Sequence, residues 1–567
     1  MPQLQINQGP QDALLYDNTR SYFTNVGYVR TSNFQTEYRH ADATTGKATL
    51  GGTTTFVIPK SADLLGPVDL LVDLKAPSAN GFTGAVAASH RAFTQWVDEL
   101  GFAVIEKATF TIGSVDIETI TGEQMQIKNE LMTSDEMRLG YDHVMKTGRR
   151  AFEKGASSGA NTAIAVDAET PGDNQTALNE KAINKDYTRL ISVTQKGNGS
   201  GDTAITDVCG ARQLIIPLSF FFTKHVSQYF PLAAIAGCND VRISIKFRAY
   251  KELVQTYAVG SSINTVIDAE ESTLFGTNGA IESAKLMCHY VHVTGPEAQT
   301  LMNKEHVRLL KLWQHQPMTK DVAYSSTSTA VGMDKIEMDL NFLHPVSTLI
   351  VTIRREKDMN TELSGVDAAQ KGFFFYHGDG TNPNYDRCMA QNLTTPVTGG
   401  AGTGTSQHTC KVKSIQLMLN NTERHPGLDK GIDVNYLQHR LLPALHSNSN
   451  AYQKQQIGSM ARTGLEGTPE YQRYQMQGSK NIFVYPFSLN PEGSNPSGAV
   501  NFSKVSHAKL RIHMDTTVAS AAAPSSGTVF SPLIDKANGA GPYRVDVYAL
   551  YYNWLQIKDG RALLSFA

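Results

Sequence analysis

Hydrophobic and polar positions alternate with a period of two through the clearest segments of the chain, which is the pattern of strands with one buried face. In Val241–Arg248, Val241, Ile243, Ile245 and Phe247 point one way and Arg242, Ser244, Lys246 and Arg248 the other. Ala508, Leu510, Ile512 and Met514 share a face opposite Lys509, Arg511, His513 and Asp515. Ile336, Met338, Leu340 and Phe342 alternate with Glu337, Asp339 and Asn341. A helical period would mix these sets, so they predict sheets with one apolar and one wetter face. Helices are few. Thr121 and Gln124 stand at capping-box spacing and predict a helix running through Met125–Met132. Pro296–Lys304 and Val434–His446 are weaker candidates. Gly155–Thr206, Thr394–His408 and Thr516–Gly541 are rich in Gly, Ser, Thr and Ala and read as surface loops. Many strands, few helices and long polar loops predict an all-β sandwich architecture.

The pattern occurs twice. Gly66–Val72 resembles His344–Val351, Ile215–Phe220 resembles Val484–Leu489, the strand ending at Phe247 resembles that ending at Met514, and the aromatic strand around Tyr290 resembles that around Tyr551. The separations Pro67 to Pro345, Pro217 to Pro486, Phe247 to Met514 and Tyr290 to Tyr551 are 278, 269, 267 and 261 residues, in unbroken order. Ile112-Gly113 and Leu419-Asn420 form a fifth pair 307 residues apart, which fits an insertion after Glu356 balanced by the polar segment after Gly140. Collinearity predicts tandem duplication of one β domain, with a boundary near Gly295–Glu305. The expected division is an N-terminal arm 1–29, a first domain 30–295 and a second domain 296–567. Two similar domains side by side let three chains imitate a six-fold block.

Composition narrows the functions. At 567 residues the chain exceeds one core, and its net charge of −2 argues against direct nucleic-acid binding, which needs clustered Lys and Arg. Cys209, Cys238, Cys288, Cys388 and Cys410 are odd in number and show no C-x-x-C spacing, so reduced thiols are expected rather than a disulfide framework or zinc site. Met1–Pro10 lacks the features of a signal peptide, and no apolar stretch is long enough to span a bilayer. Any contact with a membrane is expected to run through partners.

Several motifs resemble those of a known family, the major capsid proteins of nucleocytoplasmic large DNA viruses, including algal viruses. Tyr28–Phe34 is similar to its N-terminal Y-x-R-x-T-N-F signature, with Ser32 where Thr is common. Trp96–Glu106 resembles its W-V-x-x-x-G-x-A-L-I-E segment, and Leu340–Val346 resembles its L-x-F-x-H-P-V entry. The most specific block is Tyr485–Ser503, similar to Y-S-F-A-L-N-P-E-x-x-x-P-S-G-x-x-N-F-S, and Val547–Ile557 looks like its closing strand. The resemblance implies two tandem eight-stranded jelly rolls with long inserted loops and a few short helices. It further implies a homotrimeric, pseudo-hexameric capsomer that tiles an icosahedral shell beside neighbouring capsomers, minor capsid proteins and a penton protein. Such a shell lies over an inner membrane and assembles in the host cytoplasm. Within the specific block, Pro491, Pro496 and Gly498 force turns whose freed backbone Asn and Ser side chains can satisfy, so it reads as a structural corner.

Catalytic and metal chemistry finds no support, and no cofactor is expected. The glycine strings Gly197–Gly201 and Gly399–Gly404 lack the Lys-Ser/Thr of a phosphate loop. His289 and His292 should point to opposite strand faces, His439 and His446 stand seven apart, and Asp379–Asn382 lacks most of a calcium loop. Asp98 and Glu99 face apart and read as solvated acids. Asn-x-Ser/Thr sequons begin at Asn174, Asn198, Asn392, Asn420 and Asn501, the first three in polar loops where a glycan could sit. The competing function is a tandem jelly-roll carbohydrate-binding or glycan-acting protein, which would need aromatics clustered on one face; Trp96, Trp313 and Trp554 form no such cluster in sequence. A spike or adhesin would more often carry a signal peptide or disulfides.

Overall fold

The structure is a computed structural model, and it describes residues 33–75, 91–133, 193–196, 213–235, 240–259, 264–266, 271–320, 335–355, 412–424, 482–514 and 543–566, a few single positions excepted, with short pieces at 144–145, 431–433, 436–437, 461–463 and 469–471. The first half carries β1 (Phe34–Asp42), β2 (Thr53–Ile58), β3 (Leu64–Leu74), β4 (Arg91–Trp96), β5 (Ile105–Ile112), β6 (Val115–Thr121), β7 (Val193–Lys196), β8 (Gln213–Pro217), β9 (Phe230–Pro231), β10 (Val241–Phe247), β11 (Val254–Val259), β12 (Asn264–Val266) and β13 (Ile281–Val293). The second carries β14 (His306–Lys320), β15 (Lys335–Asp339), β16 (Pro345–Arg355), β17 (Val412–Leu419), β18 (Thr422–Glu423), β19 (Ile432–Asp433), β20 (Ala461–Thr463), β21 (Pro469–Tyr471), β22 (Ile482–Pro486), β23 (Val500–Asn501), β24 (Ala508–Met514), β25 (Tyr543–Lys558) and β26 (Arg561–Leu564).

In the first half the sheets run β1-β13-β3-β8 and β2-β10-β5-β6; in the second they run β14-β25-β16-β22 and β15-β24-β17-β18. These orders are the same, strand for strand, and two four-stranded sheets so connected form a jelly roll. The chain is a double jelly roll. Each of the five sequence pairs falls on equivalent strands or turns. The last is the most local: Gly113 lies in the two-residue turn between β5 and β6 and Asn420 in that between β17 and β18, with φ of 62° and 51°. Such turns need the left-handed region, which Gly and Asn adopt most readily. The extra length also falls where the offsets put it, with residues 356–411 separating β16 from β17 against 75–104 between β3 and β5.

Alternation is realised on the inner sheets. Val241, Ile243, Ile245 and Phe247 are buried beneath exposed or half-buried Arg242, Ser244 and Lys246. The expectation of one wet face fails for the sheet β14-β25-β16-β22. Its strand β16 is buried on both sides from Val346 to Arg354. Leu349, Val351 and Ile353 join the core of the second sandwich, while Ile350 joins a larger core that belongs mainly to the first and also takes in Val484, Tyr548 and Leu550. The second sandwich thus covers its outer sheet face with the first. The loop reading of Gly155–Thr206 also needs correction, because β7 lies within it and pairs with β4 in a third sheet, β12-β11-β4-β7.

The capping box is present. Helix α1 (Gly122–Met132) starts at Thr121, whose Oγ1 accepts from Gln124 N at 3.2 Å while Gln124 Oε1 accepts from Thr121 N at 3.2 Å. Helix α2 (Gly295–Asn303) occupies the second candidate, with Pro296 in its first turn. Of Val434–His446 only Tyr436 and Leu437 lie within the described residues, and Thr394–His408 and Thr516–Gly541 lie outside them. Gly122 fixes where α1 begins, since a Cβ there would collide with the carbonyl oxygens of Phe102 and Ile105. Gly122→Ala should therefore displace the helix start and cost more than about 2 kcal/mol in chemical denaturation; an unchanged midpoint would contradict this placement.

Candidate functional site

Among the described residues the most unusual chemistry lies where the two sandwiches meet. Strand alternation points Arg354 of β16 and Asp546 and Tyr548 of β25 out of the second sandwich, toward α1 of the first. Cross-strand register sets Thr352 opposite Asp546 and Arg354 opposite Arg544. Two arginines directly opposed would repel. Carboxylates from both sandwiches sit between them. Arg354 Nη2 lies 2.6 Å from Asp546 Oδ2 and 3.0 Å from Glu123 Oε2, and Arg544 Nε lies 2.9 Å from Asp546 Oδ1. Tyr548 OH donates to Glu123 Oε2 at 3.2 Å, and His315 Nε2 is 2.8 Å from Asp546 Oδ1, its ring stacked on Tyr548 at 4.5 Å. Arg354, Asp546 and Glu123 are only 1%, 0% and 6% exposed.

Burial alone would raise the Asp546 carboxyl, but the His315 hydrogen bond and the charges of Arg354 and Arg544 outweigh it and hold the group well below the usual range. For Glu123, burial is again the largest effect and works upward, and Arg354 leads the charges that bring the group below its ordinary value. A second acid and base, Glu118 of β6 and Lys128 of α1, feel each other's charge. Lys128 Nζ donates to Ser219 O and Glu118 Oε2 accepts from Phe221 N at 2.7 Å. Burial pushes Glu118 up to about 7 and Lys128 down to about 7. At the rim, Lys311 of β14 donates to the carbonyls of Pro491 and Gly493 at 2.8 and 2.6 Å and lies over the Tyr552 ring at 5.5 Å.

That last contact ties the Tyr485–Ser503 block to the joint. The block is a corner between β22 and β23. Asn490 Oδ1 accepts from Gly493 N, Ser497 Oγ accepts from Asn490 N, and Gly498 takes φ 136° with no room for a Cβ beside Phe487 O. Asn and Ser satisfy the freed backbone as expected.

His289 and His292 do face apart. The first packs against Tyr38 and Tyr229, and the second lies 3.2 Å from Glu37. Glu99 is a correction. It is 6% exposed with φ 55°, and its carbonyl accepts from Phe102 and Ala103 where the chain reverses into β5. Asp98, His439, His446, Asp379–Asn382 and both glycine strings lie outside the described residues. So do Asn174, Asn198 and Asn392. Of the other sequons, Asn420 Oδ1 accepts from Ser506 N and Asn501 Oδ1 from Ser503 N. Cys288 is buried and its thiol pushed up to about 12 by burial. Among the described residues no group of three metal-ligating side chains occurs, and no helix is long and apolar enough to cross a membrane. Trp96 is buried against Phe275, Trp313 meets Tyr548 edge-on, and Trp554 is 42% exposed, so they share no sugar-stacking face.

Sequence reasoning missed Glu123, Arg354 and Asp546. Glu123 reads as a routine acid in a helix first turn, and nothing in a single sequence pairs it with residues more than 200 positions away. Removing Arg354 should strip both buried carboxylates of their nearest cation and leave Arg544 to serve the two, so Arg354→Met should cost about 3–5 kcal/mol in denaturant titration. Because Glu123 and Asp546 titrate lower folded than unfolded, the stability they contribute is complete above about pH 4 and is lost as pH falls through their depressed folded values. Arg354→Met should flatten that acid limb, and a wild-type acid profile in the variant would contradict the network.

Comparison with known proteins agrees with this geometry. A family profile described as major capsid protein N-terminus matches residues 21–293, and one described as large eukaryotic DNA virus major capsid protein matches residues 469–562. The major capsid protein of Phaeocystis pouchetii virus is 23% identical over 99% of this chain and 98% of its own, and that of Chrysochromulina ericina virus is 21% identical over 99% and 98%. Among solved structures, the PBCV-1 virus capsid covers 96% of this chain and 100% of its own at 15% identity and TM-score 0.56. The Faustovirus major capsid protein covers 96% and 94% at 11% identity and TM-score 0.55. Both share the fold. With one profile on each jelly roll and relatives matched end to end, the chain belongs to the major capsid protein family of large eukaryotic DNA viruses.

Proposed function

We propose that this chain is the principal coat subunit of a large double-stranded DNA virus and that its work is mechanical: it binds copies of itself and catalyses nothing. The observation that carries this reading is the doubled jelly roll with a fixed joint. One chain presents two equivalent blocks at a set angle, and three such chains close a pseudo-hexagonal ring in which every block meets a similar neighbour. In this reading residues 30–295 and 296–567 are the two blocks and residues 1–29 an arm, with α2 opening the second block. Neighbouring capsomers, minor capsid proteins and a penton protein are its partners in an icosahedral shell assembled in the host cytoplasm, with the inner membrane reached only through them. A net charge of −2 supports a shell that does not bind the genome itself. Asn174, Asn198 and Asn392 are the proposed glycan acceptors, to be checked by the mass of their peptides from virions.

The purified chain should sediment at three times 61.9 kDa and resist dilution, because a permanent trimer hides more than about 2,000 Å² per contact. A stable monomer across micromolar concentrations would contradict the proposal.

A further inference from the structure

At the rim of the joint the two jelly rolls leave a cleft of about 350 Å³, mouth included. Its walls come from both sides. Phe221, Lys224 and Gln228 lie on the connection between β8 and β9 of the first jelly roll, and Lys311 of β14, Tyr552 of β25 and Gly493 of the corner belong to the second. Two lysines thus line one cleft, and no carboxylate lines it with them. Like charges so placed repel and leave the cleft positive. Lys311 is held by the carbonyls of Pro491 and Gly493 and by the Tyr552 ring, partners that fix an ammonium without neutralising it. Glu118 feels the charge of Lys224, but its carboxylate accepts from Phe221 N at 2.7 Å and is no part of the lining. The positive excess reaches further in: Lys128 is pushed down first by burial and next by the charge of Lys224.

The cleft also holds an acceptor with nothing to accept. Gln228 Oε1 is shut away from solvent and makes no hydrogen bond. A buried carbonyl oxygen in that condition is costly, and native proteins rarely leave one so. The oxygen calls for a donor, and the lysines call for an anion. Water supplies the donor without the charge; chloride and sulfate supply the charge without the donor. An oxyanion that carries its own hydroxyl supplies both, through charge-assisted hydrogen bonds.

We propose that the cleft is a binding site for hydrogen phosphate, with its O–H donating to Gln228 Oε1 and its charged oxygens set between Lys224 and Lys311. Phe221 and the Tyr552 ring wall the site on its apolar side. A ligand gripped by both jelly rolls clamps the joint, and its binding free energy adds to the stability of the docked form. Occupancy needs only one chain, so the site is independent of the trimeric coat reading.

The test uses the full chain in chloride buffer at mildly alkaline pH. Inorganic phosphate should raise the thermal unfolding midpoint along a saturable curve. Sulfate and methyl phosphate, dianions without an O–H under these conditions, should need at least ten times the concentration for the same shift at matched ionic strength. Lys224→Met and Gln228→Leu alter a surface connection, so each should unfold at or above the parent midpoint in chloride alone. The first should weaken the response to all three anions at least tenfold. The second should weaken the phosphate response alone and abolish its advantage over sulfate. Lys285→Met, which replaces a 49% exposed lysine of β13, is the control and should change nothing. Equal shifts by all three anions in the parent would overturn the site, as would a phosphate response that survives in both variants or is absent from the start. Either variant decides the matter alone if the other fails to fold.

Discussion

Four charged side chains shut between two β sandwiches constrain this molecule more than any other contact. Arg354, Arg544, Asp546 and Glu123 balance in formal charge only when α1 of the first jelly roll sits against β16 and β25 of the second. Adhesion comes mainly from elsewhere. Ile350, Val484, Leu550 and their neighbours are fully buried in the shared core, and each such side chain contributes roughly 1.5–3 kcal/mol. A buried ion network adds little net energy because desolvation cancels much of the Coulomb gain. It excludes alternatives: at another docking angle Glu123 would lose Arg354 and Arg544, and the two arginines would be left with Asp546 alone. Apolar surface makes the joint strong, and the network makes it single-valued.

A fixed angle is what a tile needs. If the two jelly rolls could rock, three chains would not meet reproducibly, and small errors would accumulate across a shell. The supporting details serve the same end. Gly122 holds the first turn of α1 against the carbonyls of Phe102 and Ile105, so Glu123 arrives at one place. Lys311 ties β14 to the corner between β22 and β23 through two carbonyls, which makes that proline-rich corner part of the joint as well as a turn.

Much of this was legible in the sequence. Period-two alternation at Val241–Phe247 gave strand and inward face together, and the capping box at Thr121 gave the helix start. The repeat was read from short apolar matches, and strand order supports each of them because local turn chemistry at Gly113 and Asn420 recurs with the strands. The doubly buried sheet was less legible. Val346–Ile353 and Val545–Leu550 are near-continuous apolar runs, the mark of a strand covered on both sides, and that signal was present but outweighed by the clearer alternation elsewhere. The ion network was not legible at all. Glu123 pairs with residues on strands 231 positions away at Arg354 and 425 away at Tyr548, and only the fold brings them together. Glu99 misled for the opposite reason: adjacent acids usually lie in solvent, but this one is held in a left-handed turn where the backbone reverses.

The proposal is that duplication within one chain creates a three-chain ring of six equivalent blocks. Electron microscopy of the purified protein tests it most directly. Class averages should show a hexagonal outline with three-fold symmetry and six lobes of nearly equal density. Two-lobed particles, or rings with any other number of lobes, would contradict it.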